Sequence, residues 1–248
     1  MKVNIHTRLA VCGLVLSAFL TGAAVAEIPD TFSNLEVFPK DIGKRQLLGA
    51  MRDFSTALGV KCTYCHIQKV PGDFDSIDWA SDQLEYKKVS RGMMAMNRNI
   101  NSELLPAATG APGGRVTCIT CHRGIQDPRT LRDVLLETIE KDGAEVGIAR
   151  YEELSAEYYG SGAYDFSPST LTGVAETLAQ SKGDMDGAVA VLAFAAEVND
   201  EDVATHVMRS QLLIFHGDKE GAIESARKAL ELDPGNEQAQ KILDQLEP

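Results

Sequence analysis

The chain has little positive charge, few cysteines and no long apolar run beyond its N-terminus, and each shortage removes a class of protein. Lys and Arg number 24 against 36 Asp and Glu, a formal net charge of −12 over 248 residues. Binding to phosphate backbones needs a basic surface, so nucleic acid is excluded as a partner. A polybasic anchor on an anionic membrane is excluded for the same reason. Acidity of this kind keeps a protein soluble and suits docking to a basic-surfaced partner. Past the N-terminal segment no apolar stretch approaches the ~20 residues that cross a bilayer, so no membrane span is expected in the mature chain.

The segment 1–26 reads as a cleavable export signal. Lys2 and Arg8 supply the positive start, Leu9 to Leu20 the short apolar stretch, and Ala24-Val25-Ala26 the small-residue cleavage site. Cys12 lies inside that apolar stretch, without the small-residue context of a lipoprotein, and is expected to leave with the signal. The destination is therefore the periplasm.

Removal of the signal changes the cysteine arithmetic. Of five cysteines four remain, and all four fall in two C-x-x-C-H units, Cys62-Thr63-Tyr64-Cys65-His66 and Cys118-Ile119-Thr120-Cys121-His122. An even count in an exported protein would ordinarily suggest disulfides, but the histidine directly after each second cysteine points elsewhere. Thiols at i and i+3 lie on one side of a helical turn and reach the two vinyl groups of one porphyrin. Histidine at i+4 then falls under the iron. Two covalently bound c-type haems are expected, held by Cys62, Cys65, Cys118 and Cys121, with His66 and His122 as proximal iron ligands. A four-thiolate zinc site is the main rival, and it gives no reason for the two histidines. A redox C-x-x-C would need a strand–helix setting that is not seen here.

The mature chain reads as mainly α. Residues 27–40 form a Pro-containing strap. Asp41 to Leu58 is an amphipathic helix with Leu47, Leu48, Met51, Phe54 and Leu58 at helical spacing, ended by Gly59. Residues 67–82 are loop-like, and Leu84 to Leu105 is a second long helix. A break rich in Gly and Pro (Gly110, Pro112, Gly113, Gly114) precedes the second haem motif. Helix, turn and C-x-x-C-H thus occur twice. A thioether is a common distal ligand in electron-transfer haems and raises the potential over bis-histidine ligation. Met51 is the candidate for the first iron, and one of Met93, Met94 and Met96 for the second. His206 and His216 lie in another part of the chain and read as packing or surface residues.

The segments Met51-Arg52-Asp53-Phe54 through His66, and Val89-Ser90-Arg91-Gly92-Met93-Met94-Ala95-Met96 through His122-Arg123-Gly124, resemble the photosynthetic reaction centre cytochrome c subunit family. The resemblance covers about residues 38–128. It implies that each haem unit is a helix, a turn and a C-x-x-C-H helix, and that a Met on the first helix binds the iron. Carried over, the first such Met is Met51. The second is the first Met of an R-x-M-x-x-M stretch, which favours Met93. The lengthened segment between Met93 and Cys118 keeps Met96 as the alternative. The photosynthetic subunits carry four haems and a histidine shortly before one motif. Here there are motifs for two, and Leu104 to Ala108 contains no histidine. The lipid anchor of many photosynthetic members is not found either. The haem fold therefore carries over better than the role of donor to a photosynthetic reaction centre.

The C-terminal half follows another rule. Gly183-Asp184-Met185-Asp186-Gly187-Ala188-Val189 recurs as Gly217-Asp218-Lys219-Glu220-Gly221-Ala222-Ile223. The offset equals the period of a tetratricopeptide repeat, about 34 residues, and the segment resembles one. Two repeats are expected, about 169–202 and 203–236, with a capping helix at 237–246. The domains expected are thus a signal at 1–26, a dihaem cytochrome domain at 27–128, a helical and aromatic connector at 129–168, and the repeats with their cap at 169–248. The aromatics between Tyr151 and Phe166 read as interdomain packing. The function expected is a non-enzymatic electron carrier whose repeats dock a redox partner, a membrane complex or further copies of the chain. The alternatives are a dihaem peroxidase, which needs one open iron and acid–base residues beside it, and a haem-based sensor or scaffold.

Overall fold

The computed structural model describes residues 28–110 and 115–247. The export signal and the 112–114 part of the Gly/Pro break lie outside them. The protein is mainly helical, as the sequence pattern predicts, with one two-stranded ribbon among the described residues.

The N-terminal half is built on two helices. Helix α1 (Lys44–Leu58) buries Leu47 and Ala57 and ends at Gly59, whose left-handed φ of 66° lets Val60 return its N–H to Ser55 O. A 3-10 turn over Cys62–Tyr64 follows. The segment expected as loop contains a short antiparallel ribbon, β1 (Ile67–Gln68) against β2 (Ile77–Asp78), with Ile67 opposite Asp78. It is too short to register as strand periodicity. Helix α2 (Glu85–Asn99) does not stop where expected. It passes through a π turn at Ile100–Leu104 into α3 (Leu105–Thr109). Pro106 explains the turn, because proline removes an N–H and clashes with the preceding turn of a regular α-helix, and a π bulge relieves both. Helix α4 (Cys118–His122) is a single turn, started by a reciprocal capping box between Thr117 and Thr120.

The C-terminal half is a stack of helix pairs: α5 (Leu131–Asp142) with α6 (Ala144–Tyr158), α7 (Pro168–Thr177) with α8 (Met185–Val198), and α9 (Val203–His216) with α10 (Lys219–Leu232). Helix α11 (Glu237–Leu246) closes the stack. Asp184, Asp202, Asp218 and Asn236 each accept the N–H three positions on, so α8 and α10 start with the same cap, as do α9 and α11, one repeat period apart. Ala188, Ala195, Ala222, Ala226 and Ala229 are fully buried where helices cross, and their small side chains permit the close approach. Helices α5 and α6 share one core with α7 and α8: Leu131, Leu135, Tyr151 and Leu154 pack with Leu171, Val174, Val191 and Leu192. Tyr151 meets Phe166 and Phe194 edge-on in this core. His206 is buried and its Nε2–H donates to Asp200 O, and His216 faces Asp186 at the surface.

Candidate functional site

Both C-x-x-C-H units fold as the chemistry requires. In the first, Cys65 and His66 both return their N–H to Cys62 O, so the two thiols share one side of a turn and the imidazole follows. In the second, the α4 turn does the same. The four thiols are free. Burial pushes both Cys65 and Cys118 above the ordinary thiol range, which is unlike the depressed thiolates of redox C-x-x-C sites. Among the described residues no cluster of three or more His, Cys, Asp or Glu could hold a metal ion, so the paired thiolates needed for a zinc site are not brought together.

The two imidazoles are held in the same way. His66 Nδ1 donates to Trp79 O at 3.1 Å, and His122 Nδ1 donates to Ile125 O at 3.1 Å. A carbonyl can only accept, so each ring keeps its proton on Nδ1 and leaves the Nε2 lone pair for a metal. Burial, and after it the Lys87 cation, pushes His66 below the ordinary imidazole range, which keeps the ligating neutral form.

Around the first unit lies a cleft of about 720 Å³, within the usual range for cofactor clefts. Met51, Phe54 and Leu58 of α1 line it, together with Cys62, Cys65, His66, Trp79 and Met94. The strap covers it, tied down from α2 and the loop. Arg91 pairs with Glu36 and Asp82, and Arg98 donates to Val37 O. Asn34 donates to Ala80 O and Asp82, and Phe38 stacks on Phe54. Five cations reach the cleft wall (Arg52, Lys61, Lys69, Lys87, Arg91) against Glu36 and Asp78, an inversion of the chain's overall charge. A mostly apolar slot with a lone-pair imidazole, two thiols at its mouth and cations for acidic substituents fits a haem with its propionates.

The second unit is more open. His122 is buried, at 8% exposure, while Met93 and Met96 are 38% and 48% exposed. Two asparagines on α2 and its π turn grip the approach to Cys118. Asn101 donates to Val116 O and accepts from Val116 N, both at 2.7 Å, and Asn97 adds a bond to the same carbonyl. At 100° per residue, Met93 and Asn97 lie within ~40° of one another on α2, and Met96 sits ~60° to the other side of Met93. Met94, ~100° round from Met93, faces the first cleft. Sequence reasoning left Trp79, Lys87 and the asparagine clasp without roles. It placed Met94 among the candidates for the second iron, whereas Met94 lines the first cleft; the helical angle that separates it from Met93 was the available signal.

Thiol pairs, locked imidazoles and a cofactor-sized cleft define the class: this is a c-type cytochrome, whose haem is covalently bound. Residues 70–150 match the photosynthetic reaction centre cytochrome C subunit family, from the loop after His66 through the second motif into α6. The chain is 36% identical over 113 residues to the photosynthetic reaction center cytochrome c subunit of Thermochromatium tepidum, covering 44% of this chain and 24% of that one. It is 35% identical over 68 residues to cytochrome c-554 of Chloroflexus aurantiacus, covering 27% and 14%. The cytochrome segment is thus similar, over the stretches matched, to the photosynthetic reaction centre cytochrome c subunit family. The matched stretch spans less than a quarter of the length of either relative.

Proposed function

We propose that the protein is an exported, periplasmic electron carrier with two c-type haems, one on Cys62 and Cys65 with His66 and Met51 as axial ligands, the other on Cys118 and Cys121 with His122 and Met93. The observation that carries this reading is the pair of equivalent imidazole locks, His66 to Trp79 O and His122 to Ile125 O. Bound haem supplies a one-electron couple. The protein's own residues orient the imidazoles, offer thioethers opposite them and exclude water from the first cleft. Helix α2 would border both sites, with Met94 lining the first cleft and Met93, on the Asn97 side of the helix, offered to the second. A helix is only ~10–12 Å across, a span suited to rapid electron exchange between the two.

The domains proposed are the dihaem unit at 27–128, the connector at 129–168 and two tetratricopeptide-like repeats with a cap at 169–248. The repeats would dock a basic-surfaced redox partner or a membrane-bound assembly. A groove of about 740 Å³ between α8 and α10 supports this, because Glu197, Glu220 and Glu224 in its walls make no ion pair among the described residues. No described helix is long and apolar enough to cross a membrane.

The test is a pyridine haemochrome assay on purified protein, with carbon monoxide added to the reduced form. Two haems per chain, a methionine–iron charge-transfer band when oxidised and no carbon monoxide binding are expected. One haem per chain would refute the dihaem assignment, and ready carbon monoxide binding at one site would favour an enzyme.

A further inference from the structure

The two histidine locks are alike in geometry and unlike in surroundings. Trp79 O, which accepts from His66, also accepts from Lys87 Nζ at 3.0 Å. The same ammonium donates to Ala80 O at 3.0 Å and Ser81 O at 2.8 Å, so all three of its N–H groups are used. Its side chain is only 12% exposed and lines the first cleft. Ile125 O, which accepts from His122, receives no side-chain cation among the described residues.

We propose that Lys87 makes the first haem site the higher-potential one, by placing a buried cation on the carbonyl that accepts the proximal histidine's N–H. The inference rests on the His66 and His122 ligation proposed above. A carbonyl already polarised by an ammonium is a weaker acceptor, so His66 is left less electron-rich and stabilises ferric iron less. The ammonium charge, in a partly desolvated cleft, disfavours the extra positive charge of the ferric state directly. Both effects raise the potential. Asp82, 3.3 Å from Lys87 Nζ, offsets part of the charge, but it is shared with Arg91 at 2.9 Å and Asn34 at 2.9 Å. With Asp82 included, the five cleft cations still outnumber Glu36, Asp78 and Asp82. An electron arriving at the second site then passes to the first. The second iron goes from ferrous to ferric as the first goes from ferric to ferrous, with no bond made or broken.

The test is a spectroelectrochemical titration of the full-length holoprotein, resolved into two one-electron components. Met51→His marks the component of the first site. Lys87→Met is expected to lower that component's equilibrium constant for reduction about tenfold, about 59 mV for one electron, with the other component unmoved. Lys87→Arg, which keeps the charge, should restore most of the shift, and Lys87→Gln substitutes for Lys87→Met if the latter yields no holoprotein. Unmoved potentials in the neutral variants, equal shifts in both components, or an equal shift in Lys87→Arg would overturn the inference. Haem content measured on the same samples separates the failures. One haem per chain removes the dihaem reading, whereas two haems with unmoved potentials overturn the role of Lys87 alone.

Discussion

Gly59 and Gly124 meet backbone to backbone. Gly124 donates its N–H to Ala57 O at 2.8 Å, and a Cβ on Gly59 would run into Gly124 O. The turn that leads into the first haem motif is thus seated on the turn that leaves the second.

Gly59→Ala should break this contact. The residue would carry a side chain at φ 66° and collide with a backbone oxygen that has no freedom to retreat. Strain at a left-handed position alone costs about 1–3 kcal/mol, and the collision adds to it. Urea denaturation should show a loss of ~2 kcal/mol or more, with reduced haem incorporation at both motifs. A loss under about 0.5 kcal/mol, the size of an ordinary surface substitution, would contradict the contact.

Asn101→Ala removes two of the three bonds of the clasp on Val116 and leaves Asn97 on the carbonyl. Leaving the partly buried Val116 N–H unpaired costs about 1–3 kcal/mol. The effect should be local: hydrogen exchange should rise at Val116 to Cys118, while the first cleft keeps its protection.

The strap should withstand mild acid. Arg91, with Asn34 and Lys87 behind it, holds the Asp82 carboxyl well below the usual carboxylate range. A depressed carboxyl contributes its full stabilisation above the unfolded-chain value of about 4 and loses it only as the pH falls through the lower folded value. Proteolysis within residues 28–40 should therefore be no faster at pH 4.5 than at pH 7. Asp82→Asn should cleave faster at both, without a pH dependence in this window.

The distal ligands are separable by substitution. Met51→His and Met93→His should each abolish the methionine–iron band of one haem and lower its potential, because histidine favours ferric iron more than methionine does. Met96→His should leave both haems as they are. If Met96→His moves the second haem and Met93→His does not, the ligand is Met96.

The helical architecture was largely legible in the sequence because its signals are local. The periodic Leu47, Met51, Phe54 and Leu58 mark α1, and the Gly-Asp recurrence at 183–184 and 217–218 marks caps that form within one turn of themselves. The ribbon at 67–78 and the continuation of α2 through Pro106 were not legible. The first is two residues deep, and the second depends on a π turn that no period announces.

The candidate site divides along the same line. Thiol spacing and the adjacent histidine are covalent facts of the chain, so Cys62, Cys65, His66, Cys118, Cys121 and His122 identify the cofactor class without a structure. Which carbonyl holds each imidazole, that Met94 lines the first cleft, and where the Lys87 ammonium rests depend on contacts between separate segments, from Lys87 with Trp79 to Arg91 with Asn34. Those are decided only when the strap, the 67–82 loop and α2 close on one another. Burial then sets the local charge balance that no single stretch of sequence contains.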